Sequence, residues 1–141
     1  MPNYDATKNN ETKRVNRKYK DLDLDFGLNS VTKDVNKLTD AEAIKRSVRN
    51  LINTNHYERF FNPVLGSGLR GLLFEPVNEV TTQFIKQKII ELLSFYEPRI
   101  RLTSVIVNNQ MDRNAYSVRI AFNIIGTQSP VEVETFLERL R

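Results

Sequence analysis

The sequence predicts an α+β fold in which two main helices and a short C-terminal helix pack on a small antiparallel β-hairpin sheet. Three observations predict this class. Two amphipathic patterns with helical spacing occupy the middle of the chain. Two runs rich in β-branched residues follow, and a helix-start signal lies near the C-terminus. At 141 residues, with 40% hydrophobic and 27% charged residues, the chain suits one domain with a modest core.

The first predicted helix begins at Thr39, because Thr39 and Glu42 have the spacing of a capping box. It is expected to end near Asn53 or Asn55. Its apolar stripe, which most simply faces the core, consists of Ile44, Val48, Leu51 and Ile52. Upstream, residues 21–26 alternate acidic and apolar side chains, which indicates an extended segment. The apolar members expected to face inward are Leu22, Leu24 and Phe26.

Residues 54–76, rich in glycine, proline and apolar side chains, predict a long ordered loop with a helical turn near Leu69–Phe74. Its apolar side chains are too many for a free loop, so they should pack on the helices or on a partner. They are Tyr57, Phe60, Phe61, Leu65, Leu69, Leu72, Leu73 and Phe74. The second main helix should run from Asn78, as N-cap, to Tyr96 and form the spine of the core.

The hairpin strands are predicted at residues 100–107 and 116–124, with a polar turn from Asn108 to Asn114. Farther on, Ser129, Pro130 and Glu132 combine an N-cap, a first-position proline and a third-position glutamate. They predict a short helix rather than a strand at "VEVET". Its inward residues would be Val133, Phe136, Leu137 and Leu140.

Charge divides the chain into a basic arm, residues 1–20, and a neutral domain, residues 21–141. The arm has six bases and two acids, whereas the rest has 15 of each sign. Such an arm could order on nucleic acid, order on an acidic protein face, or remain a solvated tail. With no cysteine and one histidine, disulfides and His-rich metal sites are excluded, so no cofactor is expected. We see no signal peptide and no apolar run long enough for a membrane span.

The tripeptide Glu97-Pro98-Arg99 marks the change from helix to strand. Proline has no amide hydrogen and disfavours helical backbone at the preceding residue, so Pro98 ends the helix. Spacing alone indicates a helix stop with two solvated charges. However, "FYEPRI" after an amphipathic helix resembles the sheath-initiator family of contractile-phage baseplate wedges. This family is related to a type VI secretion baseplate subunit and is sometimes called lysozyme-like. A second block in the family's order agrees: Thr54, Arg59, Asn62-Pro63, Gly66, Leu69 and Leu73-Phe74-Glu75.

The resemblance covers roughly Asp23 to Arg141 and implies a structural subunit of a tail baseplate in a virion, assembled in the host cytoplasm. It implies wedge-binding residues Glu97, Pro98, Arg99 and Arg59, which would join a core bundle of neighbouring wedge proteins. It also implies that sheath subunits add strands to the hairpin. The hairpin residues concerned are Leu102, Val105, Val107, Tyr116, Val118, Ile120 and Phe122. The tail tube is a further candidate partner, whereas no membrane or small-molecule substrate is implied.

Residue types alone keep other readings open. A hairpin has open edges that template another chain's strand, unless this chain's own arm or loop covers them. A peptidoglycan hydrolase would need two acids across a cleft, one with a raised pKa, and the candidates are Glu97, Glu75 and Glu58. We expect Arg99 to lower the pKa of Glu97 instead. The sequence departs from the family at Tyr57, where many relatives have glycine, which questions a glycine-dependent turn there.

Overall fold

Three helices are present in the computed structural model, which describes residues 19–126 and 130–138. Helix α1 spans Asp40–Asn53, α2 spans Leu69–Leu72 and α3 spans Glu79–Tyr96. The predictions of both main helices and of the helical turn between them are therefore confirmed. Asn78 is the predicted N-cap of α3, and its side-chain oxygen accepts from the Thr81 amide at 2.7 Å. Thr39 precedes α1 but makes no side-chain cap, and Glu42 instead pairs with Lys45.

A short ribbon precedes α1 and consists of β1, Lys20–Leu22, paired antiparallel with β2, Lys37–Thr39. The prediction that Leu22, Leu24 and Phe26 face inward is wrong, because they are 54%, 51% and 70% exposed. The acidic face of this segment turns toward the protein instead. The Arg46 guanidinium on α1 contacts Asp23 at 2.7 Å and Asp25 at 2.6 Å, so the apolar side chains point to solvent.

The main sheet has three antiparallel strands in the order β3-β4-β5. Strand β3 spans Ile100–Gln110, β4 spans Ala115–Ile124, and a single 3₁₀ turn, Met111–Arg113, joins them. Strand β5 spans Pro130–Glu138. The predicted hairpin is confirmed, although β3 extends three residues farther than expected.

The predicted C-terminal helix is wrong, because that segment is β5. Nine residues of β5 pair in unbroken register with β4, from Asn123 opposite Pro130 to Ala115 opposite Glu138. Burial alternates along it with a period of two, so Val133 and Leu137 face the core while Phe136 is 58% exposed. Pairing along an otherwise open edge of β4 outweighs the local helix-start signal. Ser129 and Leu140 lie outside the described residues, as does most of the predicted arm.

The core lies between the inner face of this sheet and the two main helices. The fully buried side chains include Ile44 and Val48 from α1, Ile85 and Ile89 from α3, and four residues of β4. Those four are Tyr116, Val118, Ile120 and Phe122, each with no exposed surface. In the described parts of the chain, no helix is both long and apolar enough to cross a membrane.

Candidate interaction site

The Glu97-Pro98-Arg99 turn joins α3 to β3 and turns both charges toward each other. The Glu97 carboxylate is 2% exposed and accepts two hydrogen bonds from Arg99, one from Nε and one from Nη2 at 2.6 Å. Oε2 also accepts from the Ser47 hydroxyl of α1 at 2.7 Å. The two charges are therefore paired within the chain rather than solvated, and Pro98 is the exposed residue of the three.

Opposing effects act on the Glu97 carboxyl. Burial raises its pKa, while the hydrogen bonds from Arg99 and Ser47 lower it. The net effect is a lowered pKa, as the sequence predicted, because two charge-assisted bonds and one hydroxyl bond stabilise the anion. The hydrogen bonds between Arg99 and Glu97 in turn raise the pKa of Arg99. The pair is a permanent ion pair at neutral pH.

The turn also holds the start of the described chain. The Arg99 guanidinium lies over the Tyr19 ring, 5.3 Å from its centroid, in cation–π geometry. Tyr19 is fixed by its backbone, which donates to the Asp40 carboxylate at 3.2 Å and accepts from the Asp40 amide at 2.7 Å. Arg99 also accepts from the Ile125 amide at 2.9 Å through its carbonyl. The turn between α3 and β3 thus contacts both the residue before β1 and the residue after β4.

A second feature, which we name the aromatic loop, covers residues 54–66 and projects two phenylalanines. Phe60 is 98% exposed and Phe61 is fully exposed, and they are the two central residues of a turn in which the Asn62 amide donates to the Arg59 carbonyl at 3.2 Å. The loop is nonetheless well braced. The Tyr57 amide donates to the Pro63 carbonyl at 2.8 Å, and Glu58 accepts from the Asn55 amide at 2.9 Å.

The aromatic loop lies beside the Glu97-Pro98-Arg99 turn, since the Tyr96 hydroxyl donates to the Val64 carbonyl at 3.2 Å. Arg59 is exposed on this loop, and the hydrogen bonds to the Glu97 carboxylate come from Arg99 and Ser47 rather than from Arg59. Tyr57 has φ of +68°, the left-handed conformation that favours glycine. The turn therefore forms despite the tyrosine, whose ring is 85% exposed and meets no steric barrier.

The loop also depends on a close approach at Gly66. A Cβ atom there would lie 2.4 Å from the backbone of both Asn55 and His56. The His56 ring hydrogen-bonds the Val64 carbonyl through Nδ1 at 2.9 Å, so His56 has a bracing position in this loop. Sequence reasoning identified the apolar residues of this loop but not that Phe60 and Phe61 would be left exposed together.

The seven predicted hairpin residues divide between an outer and a central strand. Leu102, Val105 and Val107 belong to β3, which is an outer strand of the sheet. The other four residues, those of β4, are fully buried, and β4 is paired on both sides by β3 and β5. An added strand therefore has only β3 or β5 to pair with in the described sheet.

Comparisons with known proteins identify the class of molecule that carries this turn and sheet. The sequence matches the family described as "Baseplate wedge protein gp25" over residues 38–129. The chain belongs to this family of baseplate structural proteins. It is thus a structural component of the baseplate of a contractile, phage-type tail. No functionally curated protein matches the sequence.

Three solved structures with a similar fold are a protein named for a tail and two chains of baseplates. A Geobacter sulfurreducens protein named as a tail lysozyme is 25% identical, with a TM-score of 0.67, covering 74% of this chain and 96% of that one. A chain in the baseplate of the anti-feeding prophage is 19% identical, with a TM-score of 0.61 and 88% coverage of both chains. A chain in the post-contraction baseplate of pyocin R2 is 24% identical, with a TM-score of 0.50, covering 78% and 96%.

Proposed function

We propose that this baseplate subunit joins the core bundle of the wedge and starts the sheath by pairing strands with its first ring. The observation that carries the proposal is a sheet with a completed core and two outer strands that nothing in the described chain covers by pairing. Unpaired backbone groups at a strand edge are a template for another chain. A sheath subunit is a suitable source, because open contacts propagate helically once a first ring is set.

Sheath contact would run through the backbone rather than through the predicted side chains of β4. Tyr116, Val118, Ile120 and Phe122 are committed to the core, so they support the sheet from within. Leu102, Val105 and Val107 line the inner side of β3, where burial is partial or complete. These residues would set the position of the outer strands rather than touch the sheath directly.

Wedge contact would use the turn and the aromatic loop together. Arg99 donates to Glu97 through Nε and Nη2, and no hydrogen bond within the described residues uses Nη1. The two Nη1 donors would therefore bind carbonyls or carboxylates of a partner. Glu97 then acts by positioning Arg99, and Pro98 by fixing the angle of the turn. Phe60, Phe61 and Arg59 provide the aromatic and guanidinium groups that dominate many interfaces.

Reconstitution with purified wedge proteins of the same particle tests the wedge assignment. We expect Arg99→Lys to fold but to pull down less wedge, because lysine has one nitrogen and cannot bind both Glu97 oxygens through a planar fork while a separate nitrogen faces the partner. Arg101→Lys, at an exposed position on β3, is the matched control and should pull down wedge normally. Equal recovery of wedge by both variants would remove Arg99 from the interface.

A cryo-EM map of the assembled baseplate with its sheath tests the initiator assignment. We expect one strand from a sheath subunit to extend the β3-β4-β5 sheet. A map in which sheath subunits touch this subunit elsewhere, with both outer edges unextended, would reduce its role to that of a wedge clamp.

We further propose that the chain is not a peptidoglycan hydrolase, despite the lysozyme-like name of one relative. A general acid needs a raised pKa, whereas the pKa values of Glu97 and Glu58 are both lowered, the latter by hydrogen bonds from Asn55. Purified protein should leave a peptidoglycan suspension turbid. Clearing that is lost in Glu75→Gln would contradict this proposal.

A further inference from the structure

The two outer strands offer different templates to an incoming strand. Strand β3 has an irregularity between Leu102 and Ser104, where its register with β4 shifts by one residue. Such a bulge bends and twists an edge and interrupts further pairing. Strand β5 pairs with β4 over nine residues without a shift, so its outer edge is regular along its whole length.

The outward face of β5 carries a distinct pattern of side chains. Glu132, Glu134, Phe136 and Glu138 alternate with the buried residues of the strand, and all four are exposed. Glu134 lies opposite Arg119 on β4, and its carboxylate is 3.5 Å from the guanidinium. Glu132 and Glu138, in contrast, lie opposite Ala121 and Ala115, which offer no charge.

Two carboxylates on β5 therefore lack a cross-strand cation on the β4 side, and their next neighbours would be residues of a strand added to the outer edge. Side chains directly opposite one another in adjacent strands interact, and like charges there are destabilising. A second copy of β5 would bring acidic side chains together, so this edge disfavours pairing with itself. The same carboxylates favour a basic strand.

We propose that the β5 edge is the one that receives the partner strand, and that this strand carries lysine or arginine beside Glu132 and Glu138 and an apolar side chain beside Phe136. Its two basic residues are then six positions apart on one face, as Glu132 and Glu138 are on β5. The apolar residue is two positions from the one beside Glu138. This inference rests on the proposed function, because it names the chemistry of the strand that the sheet would accept.

The test uses fluorescein-labelled nine-residue peptides and the full chain. The outward positions of the first peptide hold lysine, threonine, phenylalanine and lysine, with valine at the inward positions, and it is made in both chain directions. The matched peptide has glutamate in place of both lysines. Fluorescence anisotropy measures binding at about 50 and about 300 mM salt, which separates the screened charge contribution from the rest.

We expect the wild-type chain to prefer the lysine peptide about 3- to 30-fold, from two favourable cross-strand pairs against two unfavourable ones. The double variant Glu132→Lys, Glu138→Lys should reverse the preference. The control Glu75→Lys, Glu91→Lys makes the same change in net charge at exposed positions away from the sheet and should retain it. Hydrogen exchange should slow in residues 130–138 on binding, and not in residues 100–110.

Each other outcome overturns the inference. Equal binding of both peptides removes the charge argument, and slowed exchange in residues 100–110 assigns the strand to β3. Slow exchange in residues 130–138 without peptide, lost when residues 1–18 are deleted, would make the chain's own basic arm the occupant.

Co-purification with sheath subunits separates the inference from the proposed function. If the sheath binds the wild type and the Glu132→Lys, Glu138→Lys variant equally, the initiator role stands and the choice of edge is wrong. If the sheath binds neither protein, the initiator role itself fails.

Discussion

A single carboxylate, that of Glu97, organises the junction between α3 and β3. It is buried, it accepts from Arg99 twice, and it reaches Ser47 on a helix 50 residues earlier in the sequence. Breaking one partner of a buried pair leaves an uncompensated charge, which costs more than the pair contributes when intact. The Glu97–Arg99 ion pair therefore stabilises the domain, in addition to being a candidate wedge contact.

Replacing Arg99, the cation of this ion pair, should destabilise the isolated domain. We expect Arg99→Ala to lower the free energy of unfolding by about 1–3 kcal/mol, because Glu97 loses two charge-assisted hydrogen bonds while remaining buried. We do not expect a larger loss of stability, because the Arg99 side chain is 32% exposed and solvent screens the ion pair. Urea unfolding at pH 7 measures the change, with Arg101→Ala as the exposed control, expected within about 0.5 kcal/mol of wild type. Equal stability of the two variants would show that the pair is energetically neutral.

The lowered pKa of Glu97 predicts how stability depends on pH. A carboxyl whose pKa is depressed by folding contributes stability that is complete above its unfolded value, here the ordinary 4.5, and that is lost as pH falls through the folded value. As the pH falls below about 4.5, the free energy of unfolding of the wild type should therefore decrease more steeply than that of Glu97→Gln. Urea unfolding from pH 7 to about pH 3 measures both proteins. Asp23 and Glu58, whose pKa values are also lowered, occur in both and cancel in the comparison. Parallel curves would contradict the assignment.

Sequence reasoning predicted the direction of the Glu97 pKa shift because its main partner is two residues away. It could not find Ser47 or Tyr19, since both reach the pair only through the tertiary fold. A serine at a helix position gives no signal that it faces a carboxylate. The reading of the two charges as solvated failed for the same reason: burial of Glu97 is decided by what packs over the turn.

At the scale of the elements, the helices were predictable and the C-terminal strand was not. In α3 the Asn78 cap, the apolar spacing and the Pro98 stop all agree, so local signals decide its bounds. In β5 the local helix-start signal at Pro130 and Glu132 conflicts with the alternation of Val131, Val133 and Leu137. Alternation prevails because it matches the buried face of β4, a partner that lies outside any local window.

The aromatic loop supplies the prediction at this scale. Gly66→Ala should destabilise the domain by about 2–4 kcal/mol or prevent folding, since the new methyl group would overlap backbone atoms of Asn55 and His56 that cannot move independently. Gly71→Ala is the matched control. A Cβ at Gly71 meets nothing within 4 Å, and alanine favours the helical conformation of α2. The control should be neutral or more stable by up to about 1 kcal/mol. Thermal unfolding ranks the two variants, and an equal effect would contradict the close approach at Gly66.

At the scale of the whole molecule, the sequence predicted the α+β class and the family but not the distribution of exposed surfaces. Leu22 and Phe26 were expected to be buried because they are apolar. However, alternation alone does not determine which face of the segment turns toward the protein. The Arg46 bridge to Asp23 and Asp25 decides it the other way. Likewise, the count of apolar residues in the 54–66 loop could not say that Phe60 and Phe61 would both remain outside the core.

The distribution of surfaces predicts that wedge binding and sheath binding can be lost separately. Phe60→Ser, Phe61→Ser removes two exposed rings, so stability should change by less than about 0.5 kcal/mol. If these rings are anchors of the wedge interface, affinity for purified wedge proteins should fall at least about 10-fold. Sheath binding should be retained, because the sheet is untouched.

The reciprocal variant, Glu132→Lys, Glu138→Lys, should retain the wedge and lose the sheath. Phe26→Ser, Val31→Ser removes apolar side chains that are also exposed, 70% and 88%, on the segment around the ribbon, and serves as the control for hydrophobicity alone. Pull-downs of each variant with wedge proteins and with sheath subunits measure all combinations. Loss of both partners by the Phe60→Ser, Phe61→Ser variant would contradict independent surfaces, because it would mean that the sheet edge accepts the sheath only after the subunit has joined the wedge. Loss of both partners by the Glu132→Lys, Glu138→Lys variant would mean that the β5 edge also takes part in wedge binding.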